Sequence, residues 1–117
     1  MDFHQFDQDF WVNLENLITT SAIVIDRPKG SQHPRFPDFI YPVDYGYLTD
    51  TRAMDGHGID IWVGTATPRT LDTILCTIDS LKKDAELKIL YGCSVYEQEL
   101  IYRILNVQAL SALFIRR

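Results

Sequence analysis

The stretch Thr73-Ile74-Leu75-Cys76-Thr77-Ile78-Asp79-Ser80-Leu81-Lys82-Lys83-Asp84-Ala85-Glu86-Leu87-Lys88-Ile89-Leu90-Tyr91 decides the fold. In its first part Ile74, Cys76 and Ile78 alternate with Thr73, Thr77 and Asp79, the period of a half-buried strand. The second part reads two ways. Ser80 can cap a helix that ends at Gly92, or Asp84, Glu86 and Lys88 alternate with Ala85, Leu87, Ile89 and Tyr91 in a second strand. In the second case 80–83 is a turn, and Asp79 and Asp84 face each other across its mouth.

Outward from this stretch the chain is punctuated by turns. Ala22-Ile23-Val24-Ile25 is a short β-branched run that reads as a buried strand. Asp26 to Pro37 is a loop with Pro28, Gly30, Pro34 and Pro37. Phe39-Ile40-Tyr41 is extended up to Pro42, Tyr45-Gly46-Tyr47-Leu48 follows, and Met54 to Gly58 is a glycine-rich turn. Ile59 to Val63 is a strand, and Ala112-Leu113-Phe114-Ile115 a last short one. Phe3, Phe6, Phe10, Trp11, Leu14, Leu17 and Ile18 recur at helical spacing, which predicts an amphipathic helix packed on the domain body. Ser94-Val95-Tyr96-Glu97 is a capping box opening a helix over about 95–106, with Leu100, Ile101, Ile104 and Leu105 as its apolar face. The expected architecture is mostly β with flanking helices (α+β): a small barrel or curled sheet with helices outside. One domain over 1–117 is expected, with an N-terminal helix (1–20), a barrel (22–91), and a helix plus short strand (94–117).

The 117 residues suit one domain, at 46% hydrophobic and 23% charged,. No apolar run approaches the ~18 residues of a membrane span. Met1 to Gln5 lacks the basic-then-apolar order of a signal peptide, so a cytoplasmic protein is expected. Cys76 and Cys93 read as buried thiols in a reducing compartment. The net charge is −5, with no basic stripe, which argues against nucleic acid as partner,. The acids are twelve Asp and four Glu. Surface helices favour Glu, so the excess of Asp points to turns, caps or cation sites.

Asp55-Gly56-His57-Gly58-Ile59-Asp60 places two carboxylates around two glycines just before a strand. Glycines let the backbone fold tightly so that such carboxylates converge. Converging carboxylates repel unless a cation lies between them. Asp79 and Asp84 repeat the same separation. Magnesium takes oxygen ligands and keeps waters for a phosphate. Lys29 and Arg35, in the loop after the first strand, supply a point charge and a fork for phosphate. On spacing alone, Asp-rich turns explain the acids better than a metal does.

Taken together the motifs resemble the family I soluble inorganic pyrophosphatases. Tyr41-Pro42-Val43-Asp44-Tyr45-Gly46-Tyr47-Leu48 is similar to that family's Tyr-Pro-x-Asp/Asn-Tyr-Gly-Phe/Tyr-Ile segment. Asp55 to Asp60 follows where the family has Asp-Gly-Asp-Pro-hydrophobic-Asp. Ile25-Asp26-Arg27-Pro28 falls on its apolar-Glu-apolar-Pro segment, and Asp79 and Asp84 on its second acid pair. The likeness spans about residues 22–90. It implies a five-stranded OB-like barrel with an acid-lined mouth, Mg²⁺ as cofactor, and hydrolysis of pyrophosphate by metal-activated water. By the resemblance Asp55, Asp60, Asp79 and Asp84 hold metal, with Asp26 less directly. Lys29, Arg35, Tyr45 and Tyr41 bind or frame the phosphate, and Lys88 is a further candidate. His57 and Asp55 act on the attacking water. The substrate is pyrophosphate or another small phosphoanhydride, and a homo-oligomer is expected. The metal reading requires 84–91 to be a strand, with the four carboxylates around one mouth.

The sequence also departs from the pattern. His57 replaces the middle Asp, removing a negative charge and opening the site to Mn²⁺ or Zn²⁺. Glu86 stands where a phosphate-binding Lys is usual. The hairpin bearing a phosphate Arg is absent, as is the later Tyr-Lys pair. These changes imply weakened or altered hydrolysis. The alternative is a non-catalytic relative that binds a metal, a phosphorylated ligand or a partner.

Overall fold

The computed structural model describes residues 1–117. Its elements are α1 (His4–Thr20), β1 (Ile23–Arg27), β2 (Asp44–Leu48), β3 (Asp60–Val63), β4 (Leu71–Asp79), β5 (Asp84–Tyr91), α2 (Val95–Ile104) and β6 (Leu110–Arg116). Residues 84–91 are thus a strand. β4 and β5 form a hairpin that pairs Asp79 with Asp84. Asp79 builds the turn, its Oδ1 accepting from the backbone N–H of Leu81 and of Lys82 at 3.0 Å each. Lys83 closes the turn in the left-handed region, at φ 59°.

The six strands form one sheet in the order β1-β2-β3-β5-β4-β6. Neighbours are antiparallel except β3 and β5, which run parallel. The α+β class with flanking helices is the one expected. The sheet carries a sixth strand, β6, and leaves β1 and β6 as free edges instead of closing into a barrel.

The central strands are buried on both faces. Ile61, Ile74 and Ile89 point into one core with Trp11, Leu14 and Ile18 of α1. Their neighbours Trp62, Leu75 and Leu90 point into a second core with Ile101 and Leu105 around α2. This corrects the half-buried pattern expected for 73–79. Leu75 and Thr73 are fully buried, while Ile78, near the hairpin tip and beyond the cover of either helix, is 60% exposed. A second correction concerns α1. Only Trp11, Leu14 and Ile18 of the helix are buried, packed in the core with Ile61, Ile74 and Ile89, while Phe3, Phe6, Phe10 and Leu17 remain exposed.

The capping box is present. Ser94 Oγ accepts from Glu97 N at 3.1 Å, and Glu97 Oε1 accepts from Ser94 N at 2.8 Å. Glu97 also accepts from the N–H and hydroxyl of Thr65, tying α2 to the end of β3. Burial alone would raise its pKa, but these donors outweigh it and hold the carboxyl below the ordinary 4.5. The depressed value makes this stabilisation present above about pH 4.5 and lost as pH falls through it. E97Q should therefore lower stability by about 1–2 kcal/mol at pH 7, and by much less at pH 3. Urea unfolding at the two pH values checks this; an equal deficit at both would mean that the charge is irrelevant.

Candidate functional site

On the sheet face that carries the α2 core, one end turns polar. Tyr47, Asp60, Lys88 and Leu75 lie in register across β2, β3, β5 and β4. Glu86 with Thr77, and Asp84 with Asp79, continue the face toward the hairpin tip. This end opens into a cavity of ≈ 820 Å³. Of the residues singled out in the sequence, Asp26, Tyr41, Tyr45, Asp55, His57, Asp60, Asp79 and Asp84 all line it. The structure therefore brings the four-acid set to one mouth. Lys29 and Arg35 are exposed and lie outside the lining. Lys29 contributes to the loop through its backbone, its N–H donating to Asp44 Oδ1 at 2.8 Å.

The centre of the acid group holds an ammonium. Lys88 Nζ lies 2.9 Å from Asp60 Oδ2 and 2.8 Å from Glu86 Oε2, and donates to the Tyr45 hydroxyl at 2.7 Å. Lys88 is only 8% exposed. Burial opposes its charge, yet its partners more than offset this and raise its pKa above the usual lysine value. Burial likewise pushes the Tyr45 hydroxyl up, so it stays protonated.

The remaining acids have local duties. Asp55 Oδ1 accepts from His57 N at 2.9 Å, and Asp79 caps its hairpin turn. No three His, Cys, Asp or Glu side chains converge closely enough to hold a metal ion. With Asp60 and Glu86 engaged by Lys88, the donor set as folded does not make a resident magnesium centre. For Asp55 and Asp79, turn chemistry accounts for the residue type.

The opposite wall is aromatic and was not foreseen. The loop between β1 and β2 folds back through a Gln32–Ile40 bridge and brings His33, Phe36 and Phe39 over Tyr41. His33 lies 5.0 Å from Phe36 and 5.8 Å from Phe39, ring centre to ring centre. Its ring is nearly parallel to that of Tyr41, at 10°. Burial first, then Arg27, Lys82 and Arg35, lower the His33 pKa, so the ring is neutral at pH 7. Arg27 donates to the Tyr41 hydroxyl at 3.2 Å. Tyr45 packs on Trp62 at 4.6 Å. Trp62 belongs to the core, and its Nε1 has no hydrogen-bond partner. The sequence cue for this wall was the density of rings between residues 33 and 45.

Solved structures with this fold include an inorganic pyrophosphatase from Helicobacter pylori, with a TM-score of 0.57 and 14% identity over 83% of this chain and 85% of that one. An inorganic phosphatase from Anaplasma phagocytophilum matches with a TM-score of 0.55 and 15% identity, over 80% and 81%. No family model and no curated protein sequence matches the chain. The chain therefore has the inorganic pyrophosphatase fold, with its acid-lined cavity built around Lys88.

Proposed function

We propose that this chain is a hydrolase of pyrophosphate, or of another small phosphoanhydride, with a weakened site. The observation that carries this reading is the gathering of Asp26, Asp55, Asp60, Asp79, Asp84, Tyr41 and Tyr45 on one cavity of this fold. Pyrophosphate carries a charge near −4, and the cavity rim is itself rich in carboxylates. The substrate is therefore proposed to be the magnesium complex, its cations lying between the two sets of negative charge. Manganese or zinc would serve in place of magnesium in that substrate complex.

In this reading Arg27 and Lys88 face the phosphate oxygens, and the Tyr45 hydroxyl is steadied by Lys88. His57 stands on the turn between Asp55 and Asp60 to take the proton of the attacking water. Each lost charged contact costs about 1.5–3 kcal/mol. A rate several factors of ten below that of fully equipped enzymes follows, at ~1.4 kcal/mol per factor.

Phosphate release from pyrophosphate with magnesium, manganese or zinc tests the reading. A slow, metal-dependent rate is expected, abolished in D60N, whose folding is checked by circular dichroism. H57D should raise magnesium affinity and rate about tenfold; no change would place residue 57 outside the reacting group. Absence of hydrolysis for any phosphoanhydride would favour the second reading, a non-catalytic binding or interaction protein. That reading is supported by Lys88 occupying the acid pair.

No helix is long and apolar enough to cross a membrane. Both cysteines are free thiols, and burial pushes Cys93 up to about 12, making it unreactive,. A cytoplasmic setting is part of the proposal. So is self-association, for which Ile78 on β4 and Leu113 on edge strand β6 offer exposed apolar surface; light scattering would test it.

A further inference from the structure

We infer that the cavity takes a nucleoside diphosphate in preference to bare pyrophosphate. This rests on the phosphoanhydride reading above and narrows its substrate class.

Bare pyrophosphate has no apolar surface and gains nothing from rings. Yet one wall of this cavity is made of them. Phe36 is 54% exposed at the rim, and His33 and Phe39 are half-buried beside it. A cavity of ≈ 820 Å³ far exceeds what a diphosphate fills. It lies in the ~300–1,000 Å³ range of pockets that enclose drug-sized organic ligands. The His33 ring is oriented by its Nδ1, which accepts from Arg35 N at 3.0 Å, and its lowered pKa leaves it uncharged. It therefore offers a neutral face to a planar base.

The polar groups are arranged to match. Arg27 stands at the foot of the ring wall, its guanidinium 5.9 Å from the centre of the Tyr41 ring, where a phosphate next to the base-bearing group would arrive. Opposite lie carboxylates, which accept hydrogen bonds from sugar hydroxyls without needing a cation. An esterified diphosphate has one ionisable oxygen fewer than pyrophosphate, so in the fully ionised form it is repelled less by the acidic rim. Stacking on aromatic side chains strengthens binding by roughly five- to a hundredfold per base.

The test is isothermal titration of the full chain with ADP and with pyrophosphate, each with magnesium and with EDTA, beside a phosphate-release assay on both compounds. ADP is expected to bind at least tenfold tighter than pyrophosphate under the same conditions. F36A, at an exposed position, and H33A should each shrink that ratio at least fivefold. Equal or tighter binding of pyrophosphate, or a ratio unchanged in both variants, overturns the inference. Pyrophosphate hydrolysis without ADP preference defeats this inference alone. ADP preference without any hydrolysis defeats only the hydrolase reading.

Discussion

Replacing Lys88 with methionine should make the fold respond to divalent cations. In the native chain one ammonium is shared by Asp60 and Glu86, both within 2.9 Å of Nζ, and by the Tyr45 hydroxyl. Methionine keeps the stem's packing but leaves two carboxylates facing each other across the vacated space. Breaking a fully buried pair costs ~3–5 kcal/mol. The Asp60 and Glu86 side chains are 27% and 33% exposed, and water there lowers the loss to about 2–3 kcal/mol,. Millimolar magnesium or calcium should restore much of it by entering between the carboxylates. Thermal melts with and without the cation are the measurement. The wild-type midpoint should hardly move, and that of K88M should rise by several degrees. A wild type that gains as much as the variant would mean that Lys88 yields its place to metal in the native protein.

The other large effect is at Gly46, the centre of Tyr45-Gly46-Tyr47. A Cβ there would lie 1.7 Å from the carbonyl oxygen of Val24 and 2.9 Å from the Cα of Ile25. Both belong to backbone of β1, which cannot swing aside as a side chain does. G46A must therefore separate β1 from β2, removing one wall of the α1 core and the strand that carries Arg27. The expected loss exceeds ~4 kcal/mol, enough to abolish folding of a chain of this size. Gly56 provides the contrast. It needs its glycine only for a φ of +86°, with open space around the Cβ position. G56A should cost roughly 1–2 kcal/mol. Soluble yield and denaturant unfolding of the two variants check the order, and a reversed order would refute the packing argument.

Features set by neighbours in the chain were legible before the structure. The box of Ser94 and Glu97 involves residues three apart and could be read directly, whereas 80–91 read equally as a capped helix or as a turn and strand, and the pairing of β5 with β3 and β4 decides for the strand. The acid set was legible as a motif and does reach one cavity. Its electrostatics were not, because Lys88 meets Asp60 across 28 residues and Tyr45 across 43. No local pattern predicts that a strand lysine with polar neighbours will end up buried. Ile78 misled in the opposite direction. Alternation assigns a face to a residue, but cover from α1 or α2 decides whether that face is dry. The ring wall around His33 left no local signal beyond its density of rings, because its partners gather only when the loop folds back through the Gln32–Ile40 bridge.

The parallel joint between β3 and β5 also bears on the order of events in folding. One side of the cavity comes from the β1-β2-β3 run, and the other from the β4-β5 hairpin. Hairpin pairing is local and fast, whereas a parallel pairing must wait for a longer loop to close. The Lys88–Asp60 contact spans that late joint, so it should be absent from the transition state. K88M should then leave the refolding rate nearly unchanged and place its destabilisation in faster unfolding, a φ-value near zero. The cavity would be the last part of the molecule to form, and a ligand bridging its two sides would act chiefly as a brake on coming apart. Stopped-flow chevrons of wild type and K88M would show this, and a slowed folding limb would mean that the seam forms early.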